Sequence, residues 1–109
     1  DQPRSRGLGD VYKRQVINKK PNFAEAWNKR ATAHFMMGNF DLSMQDISKT
    51  LQLEPRHFGA LDGMSLIFIH TNQFEKAIEV YDKMLEIFPN SIGTKLKKEN
   101  MLSLSTKST

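Results

Sequence analysis

Cysteine is absent from this 109-residue chain, which removes disulfide frameworks, thiolate nucleophiles and thiolate metal ligands together. Long apolar runs are absent too. The longest is LIFI, from Leu66 to Ile69, far below the roughly 20 residues a membrane-spanning helix needs. No glycine-rich stretch has the spacing of a phosphate-cradling loop. Histidine is scarce: His34, His57 and His70 are widely separated, without the close pairing typical of metal ligands. These gaps exclude the common catalytic, cofactor-binding and metal-binding constellations, so no cofactor and no enzyme activity are expected. Neither the missing cysteine nor the missing signal segment fixes a compartment, and cytoplasmic and periplasmic locations both stay open.

Charge of one sign is also lacking where it would matter most. The formal net charge is +4, yet residues 22–90 carry six Lys/Arg against nine Asp/Glu and sum to −3. The positive excess lies at the two ends, among them Arg4, Arg6, Lys13 and Arg14 before the repeats and Lys95, Lys97, Lys98 and Lys107 after them. A nucleic-acid interface needs a basic stripe on a folded face, so nucleic acid is not the expected partner.

What is present is a repeat. Pro21, Pro55 and Pro89 are evenly spaced at a 34-residue interval, twice in succession. Overlaying the two intervals matches Ala26 with Ala60, Trp27 with Leu61, Phe40 with Phe74, Leu51 with Leu85 and Leu53 with Ile87. Self-similarity at such a period means stacked supersecondary units, each unable to bury its apolar face alone. The spacing of apolar residues predicts helices over 24–37, 40–53, 58–70 and 74–87, two in each repeat. Gly38 and Asn72 suit the left-handed backbone of the breaks between them. Pro55 and Pro89 end the second helix of each pair by keeping Glu54 and Phe88 out of the helical region. Asp41 is expected to cap the second helix. A further helix is expected over 92–104, capped by Ser91 or Asn90, with 105–109 frayed.

The opening does not fit this register. Continuing the period backwards places Gly9 and Lys13 at packing positions, which propensity and desolvation both disfavour. Residues 5–15, SRGLGDVYKRQ, resemble a conceptual translation of a transposase-type sequencing adapter. Residues 1–15 are therefore set aside, residues 16–21 are read as the end of a truncated preceding repeat, and the native amino terminus is expected to be missing. Leaving out positions 1–15 halves the net charge to +2.

Trp27, Ala31, Gly38, Phe40, Ser43, Ile47, Leu51 and Pro55 form a pattern that resembles the tetratricopeptide repeat. Leu61, Ser65, Asn72, Phe74, Ala77, Tyr81, Met84 and Pro89 resemble it again one period later. Arg30 and Met64 depart from the usual Leu, His34 from Tyr and Thr50 from Ala. The resemblance covers about residues 16–90, and the stretches AEAWNKRAT and EPRHFGAL look like bacterial members. It implies an all-α superhelix, with repeats at 22–57 and 58–91 and a capping helix at 92–104. Since such arrays need about three repeats, a longer array is expected. Trp27, Phe40, Phe74 and Tyr81 would fill the space between paired helices, and Trp27→Ala should cost about 3–5 kcal/mol.

The resemblance also implies that the first helix of each repeat lines a concave groove. That nominates Glu25, Asn28, Thr32, Phe35 and Met36 from the first repeat and Asp62, Leu66, Ile69 and His70 from the second. Each of Phe35, Leu66 and Ile69 has an alternative role in packing on a neighbouring repeat. Family members that clamp a chaperone's carboxyl terminus use Lys and Asn, where this chain has Asn28, Thr32, Asp62 and Leu66, so chaperone-tail binding is not expected. His34 reads as a packed imidazole and His57 as a helix cap. Glu75, Glu79, Asp82 and Glu86 read as a solvated face, and the six methionines as gap fillers. The expected function is non-catalytic binding of a peptide or protein partner. The alternative is a recruiting segment of a larger enzyme.

Overall fold

The structure, a computed structural model, describes residues 23–107. The adapter-like opening and the truncated repeat at 16–21 lie outside the described residues. Five helices follow one another: α1 (Ala24–Met36), α2 (Phe40–Leu53), α3 (Phe58–His70), α4 (Phe74–Ile87) and α5 (Ile92–Lys107). Helices α2, α3 and α4 coincide with the expected spans. Helix α1 ends one position early, at Met36. Helix α5 runs past its expected end to Lys107, so 105–107, expected to fray, are helical. The chain divides after Pro55 into two compact units. The first contains the α1–α2 hairpin; the second contains the α3–α4 hairpin with α5 packed on α4.

The two hairpin turns are built alike. At the end of α1, Gly38 adopts φ +80°. Its amide donates to the Phe35 carbonyl at 2.9 Å and the Asn39 amide donates to His34 at 2.8 Å. At the end of α3, Asn72 adopts φ 60°, its amide donates to Ile69 at 3.0 Å, and the Gln73 amide donates to Phe68 at 2.7 Å. This is the Schellman arrangement, which satisfies the last helical carbonyls at the cost of one left-handed residue. A methyl group added at Gly38 would meet nothing within 4 Å, so only backbone strain opposes a side chain there. Gly38→Ala should therefore destabilise the chain by about 1 kcal/mol, and Asn72→Gly should stabilise it by a few tenths. Urea midpoints at unchanged m-value test both signs.

Helix starts are less uniform than expected. Asp41 lies in the first turn of α2 rather than at its cap; the cap is Asn39, which makes no side-chain cap bond. Asp41 still favours the positive end of the helix dipole. At α3 the Ala60 amide donates to His57 Nδ1 at 3.0 Å, as expected of His57. At α5 the Thr94 amide donates to Ser91 Oγ at 3.3 Å. Before Pro55 and Pro89 the backbone leaves the helical region, at Glu54 (φ −138°, ψ 90°) and Phe88 (φ −130°, ψ 84°).

The cores of the two units differ in kind. In the first, the buried residues of α1 and α2 are small or polar except for Ile47: Ala24, Ala26, Ala31, Ser43, Asp46 and Thr50. Small side chains let the helices approach closely, and the Ser43 hydroxyl donates across the gap to the Ala31 carbonyl at 2.7 Å. In the second unit Leu61, Ile67, Val80, Tyr81, Met84 and Met101 are buried, so apolar burial dominates there. Of the four aromatics expected to fill the hairpins, Tyr81 alone is fully buried; Trp27, Phe40 and Phe74 are half-buried. Met37 departs from the packing role, and Met36, nominated for the groove, is exposed beside it. Met36 and Met37 are 78% and 68% exposed, because α1 ends there and no longer presents a turn to α2.

Candidate binding surface

The nominated residues of α1 recur at three- and four-residue spacing and so share one helix face. The structure leaves Thr32 and Met36 exposed and Glu25, Asn28 and Phe35 half-buried. The Thr32 hydroxyl turns back onto its own helix, donating to the Asn28 carbonyl at 3.1 Å. The Phe35 ring lies 5.4 Å from Phe40 at the start of α2, tilted by 33°, which anchors this end of the face.

On α3, Leu66 and His70 are exposed, and Asp62 and Ile69 are half-buried. His70 Nδ1 lies 2.9 Å from the Leu66 carbonyl, so that nitrogen is occupied within the helix. Asp62 is engaged by α5: Lys97 Nζ donates to its carboxylate at 3.1 Å. Its charge is neutralised before any partner arrives.

That contact exposes what the sequence reading passed over. One repeat period beyond Asp62, Leu66 and His70 fall Leu96, Asn100 and Leu104 on α5, all three exposed. The same period that located the α3 residues places these, and only the assignment of 92–104 as a cap concealed them. Within the second unit, α3 and α5 thus present Leu66, Ile69, Leu96 and Leu104 as apolar groups, with Asn100, His70 and the Asp62–Lys97 pair as polar ones.

A second missed group lies inside the first unit. Asp46 on α2 is 4% exposed and accepts two hydrogen bonds from Arg30 on α1, from Nε at 2.8 Å and Nη2 at 2.9 Å. This is the fork geometry that matches guanidinium to carboxylate. The Asp46 hydrogen bond raises the pKa of Arg30 above its ordinary value, against the opposing effect of burial, so the guanidinium stays charged at every accessible pH. His34 Nε2 stands 3.7 Å from the same carboxylate, while its buried Nδ1 has no hydrogen-bond partner. The satisfied imidazole expected at His34 is instead packed with a buried nitrogen left without a partner. Arg30 also lies 5.2 Å from the Trp27 ring centroid and Lys49 lies 5.8 Å from it, so both cations are within cation–π range of the indole.

Among the described residues, no group of three or more His, Asp or Glu is placed to hold a metal ion. No described helix is long and apolar enough to cross a membrane.

Comparison with known proteins agrees with this architecture. The family described as tetratricopeptide repeat matches residues 59–91. A TPR repeat-containing protein of Rhizobium etli is 42% identical over 89 residues, covering 82% of this chain and 43% of that protein. The chain thus spans less than half the length of this relative, which is bacterial, as the sequence stretches in α1 and α3 led one to expect. The BBSome complex member BBS4 homolog of Drosophila melanogaster is 32% identical over 63 residues, covering 58% of this chain and 13% of that protein. Among solved structures, the first TPR of Spaghetti (RPAP3) bound to the HSP90 peptide SRMEEVD superposes with a TM-score of 0.78 at 17% identity, covering 86% of this chain and 76% of the other. At that identity the likeness speaks for the fold alone. Residues 59–91 are a tetratricopeptide repeat, and the chain has the all-α tetratricopeptide-repeat fold.

Proposed function

We propose that this chain is a non-catalytic interaction module that binds a peptide or protein segment on the faces of its first helices. The observation that carries the reading is the exposure, at equivalent repeat positions of α3 and α5, of Leu66 (38% exposed), Leu96 (61%) and Leu104 (39%) together with Asn100 and His70. Apolar side chains held at the surface of packed helices favour association once a partner covers them. The polar groups beside them supply register. Glu25, Asn28, Thr32, Phe35 and Met36 extend the same role to the first unit.

The neighbour's peptide, SRMEEVD, is acidic. On α3 the proposed binding face offers Asp62, already paired with Lys97, rather than an uncommitted cation. The module therefore favours a segment with two or three large apolar side chains over an acidic tail. Panning a random peptide library against the chain, then measuring a selected peptide by fluorescence anisotropy, tests this. Binding should fall at least tenfold in Leu66→Glu/Leu96→Glu, and the peptide SRMEEVD should bind more weakly than the selected one. Unchanged affinity in the double variant would remove α3 and α5 from the binding surface.

A further inference from the structure

Helix α5 turns Thr94 and Met101 inward, 3% and 6% exposed. Lys97 and Lys98 are committed to Asp62 and Asp82, at 3.1 Å and 2.6 Å. Away from these, and on a different face from Leu96, Asn100 and Leu104, lies a stripe of Ile92, Lys95, Glu99 and Leu102. Ile92 is 72% and Leu102 45% exposed, and both charged residues are exposed. Among the described residues neither Lys95 nor Glu99 has an ion-pair partner.

The repeat register says what this face is for. Its counterparts on α1 are Ala24, Trp27, Ala31 and His34, and on α3 they are Phe58, Leu61, Ser65 and Phe68. On α1 that face is covered by α2, as the Ser43–Ala31 hydrogen bond and the approach of His34 to Asp46 show. On α5 no described helix covers it. A hairpin partner like α2 or α4 is a poor occupant, because Lys95 and Glu99 stand where Leu61, Ala31 and Ser65 are buried, and burying unpaired charges is costly.

We infer that the occupant is α5 of a second copy of this chain, packed antiparallel about a two-fold axis. The stripe reads apolar, positive, negative, apolar, and reversed it is its own complement. With the axis passing near position 97, Ile92 meets Leu102 of the other copy and Lys95 meets Glu99, each pair formed twice. Such isologous pairing is what a two-fold interface requires. One helix face buries less area than standard interfaces do, so the dimer is weak and concentration-dependent.

Sedimentation velocity of the whole chain, from micromolar to millimolar concentration, tests the pairing. The wild type should shift from monomer to dimer across that range. Lys95→Glu and Glu99→Lys should each raise the dissociation constant at least tenfold through like-charge contacts, with helix content unchanged by circular dichroism. An equimolar mixture of the two variants should recover dimerisation as a heterodimer, which no effect on folding would produce. Ile92→Ser provides a charge-independent check, again with at least a tenfold loss. A wild type that stays monomeric at millimolar concentration, or a mixture that fails to recover, overturns the proposal. Peptide binding through Leu66 and Leu96 is a separate readout and survives either result.

Discussion

Arg30→Met alone should lower the unfolding free energy by about 2–3 kcal/mol, whereas the triple variant Arg30→Met/His34→Phe/Asp46→Val should match or exceed the wild type. Removing one partner of a buried ion pair leaves an uncompensated charge, which typically costs about 3–5 kcal/mol. The lower figure applies because the Arg30 side chain is 31% exposed and water screens part of the interaction. The stranded group in Arg30→Met is Asp46, whose side chain is 5% exposed and which has His34 Nε2 3.7 Å away. Asp46→Ala should be milder, since the Arg30 guanidinium can turn to solvent. The triple variant instead installs the solution the chain already uses one repeat later, where Met64, Phe68 and Val80 occupy the equivalent positions. Replacing a whole buried polar cluster by packed apolar groups is often neutral or stabilising. Here it also removes the unpartnered His34 Nδ1. Urea unfolding followed by circular dichroism decides the matter. A neutral Arg30→Met would mean that the carboxylate is not held by the guanidinium, and a triple variant weaker than the single one would mean that the two hairpins do not share a packing geometry.

Tyr81→Ala should cost about 3–5 kcal/mol, more than any other single truncation of an aromatic in the chain. Tyr81 is 2% exposed and heads the fully buried side chains in size, so truncation leaves a cavity that rigid neighbours fill only in part. For a unit this small, about 1 kcal/mol moves the melting temperature by roughly 4–8 °C. The loss therefore corresponds to a melting temperature lower by roughly 12–40 °C. Tyr81→Phe, which keeps the ring, should stay within about 1.5 kcal/mol. Trp27→Ala, by contrast, should cost about 2–3 kcal/mol, less than the sequence alone implied. The indole is half-buried, and part of its contact is with Arg30 and Lys49 rather than with a closed core. Thermal melts of the three variants separate these cases, and a Tyr81→Ala melt within a degree or two of wild type would refute the packing role.

Why Tyr81 was legible and Arg30 was not follows from the range of the information each carries. Helix ends rest on local chemistry: Pro55 and Pro89 restrict one neighbour each, and Gly38 and Asn72 permit one backbone conformation. Such constraints act on near neighbours in the chain, so they are readable in a string. The repeat period then groups local elements into two helical hairpins. Arg30 and Asp46 are 16 residues apart, on different helices, and their pairing depends on how the hairpin closes. A signal did exist, since Arg30 and His34 both depart from the family pattern one helical turn apart. It becomes interpretable only once the register places Asp46 opposite Val80. On the proposed binding face, the α3 positions come from the family resemblance combined with the same period. The α5 positions were hidden, because a polar helix reads as a cap until its exposed leucines are compared with their counterparts.

Lys97 and Lys98 are neighbours in the chain, yet one reaches α3 at Asp62 and the other reaches α4 at Asp82. Each bridge is exposed and contributes little by itself. Together they act as registration marks. A one-residue step rotates a helix by about 100° and advances it about 1.5 Å, so a slip of α5 by a single position would take both ammonium groups away from their carboxylates at once. The angular setting of α5 is thereby fixed against the hairpin beneath it, and with it the direction in which each of its exposed faces looks.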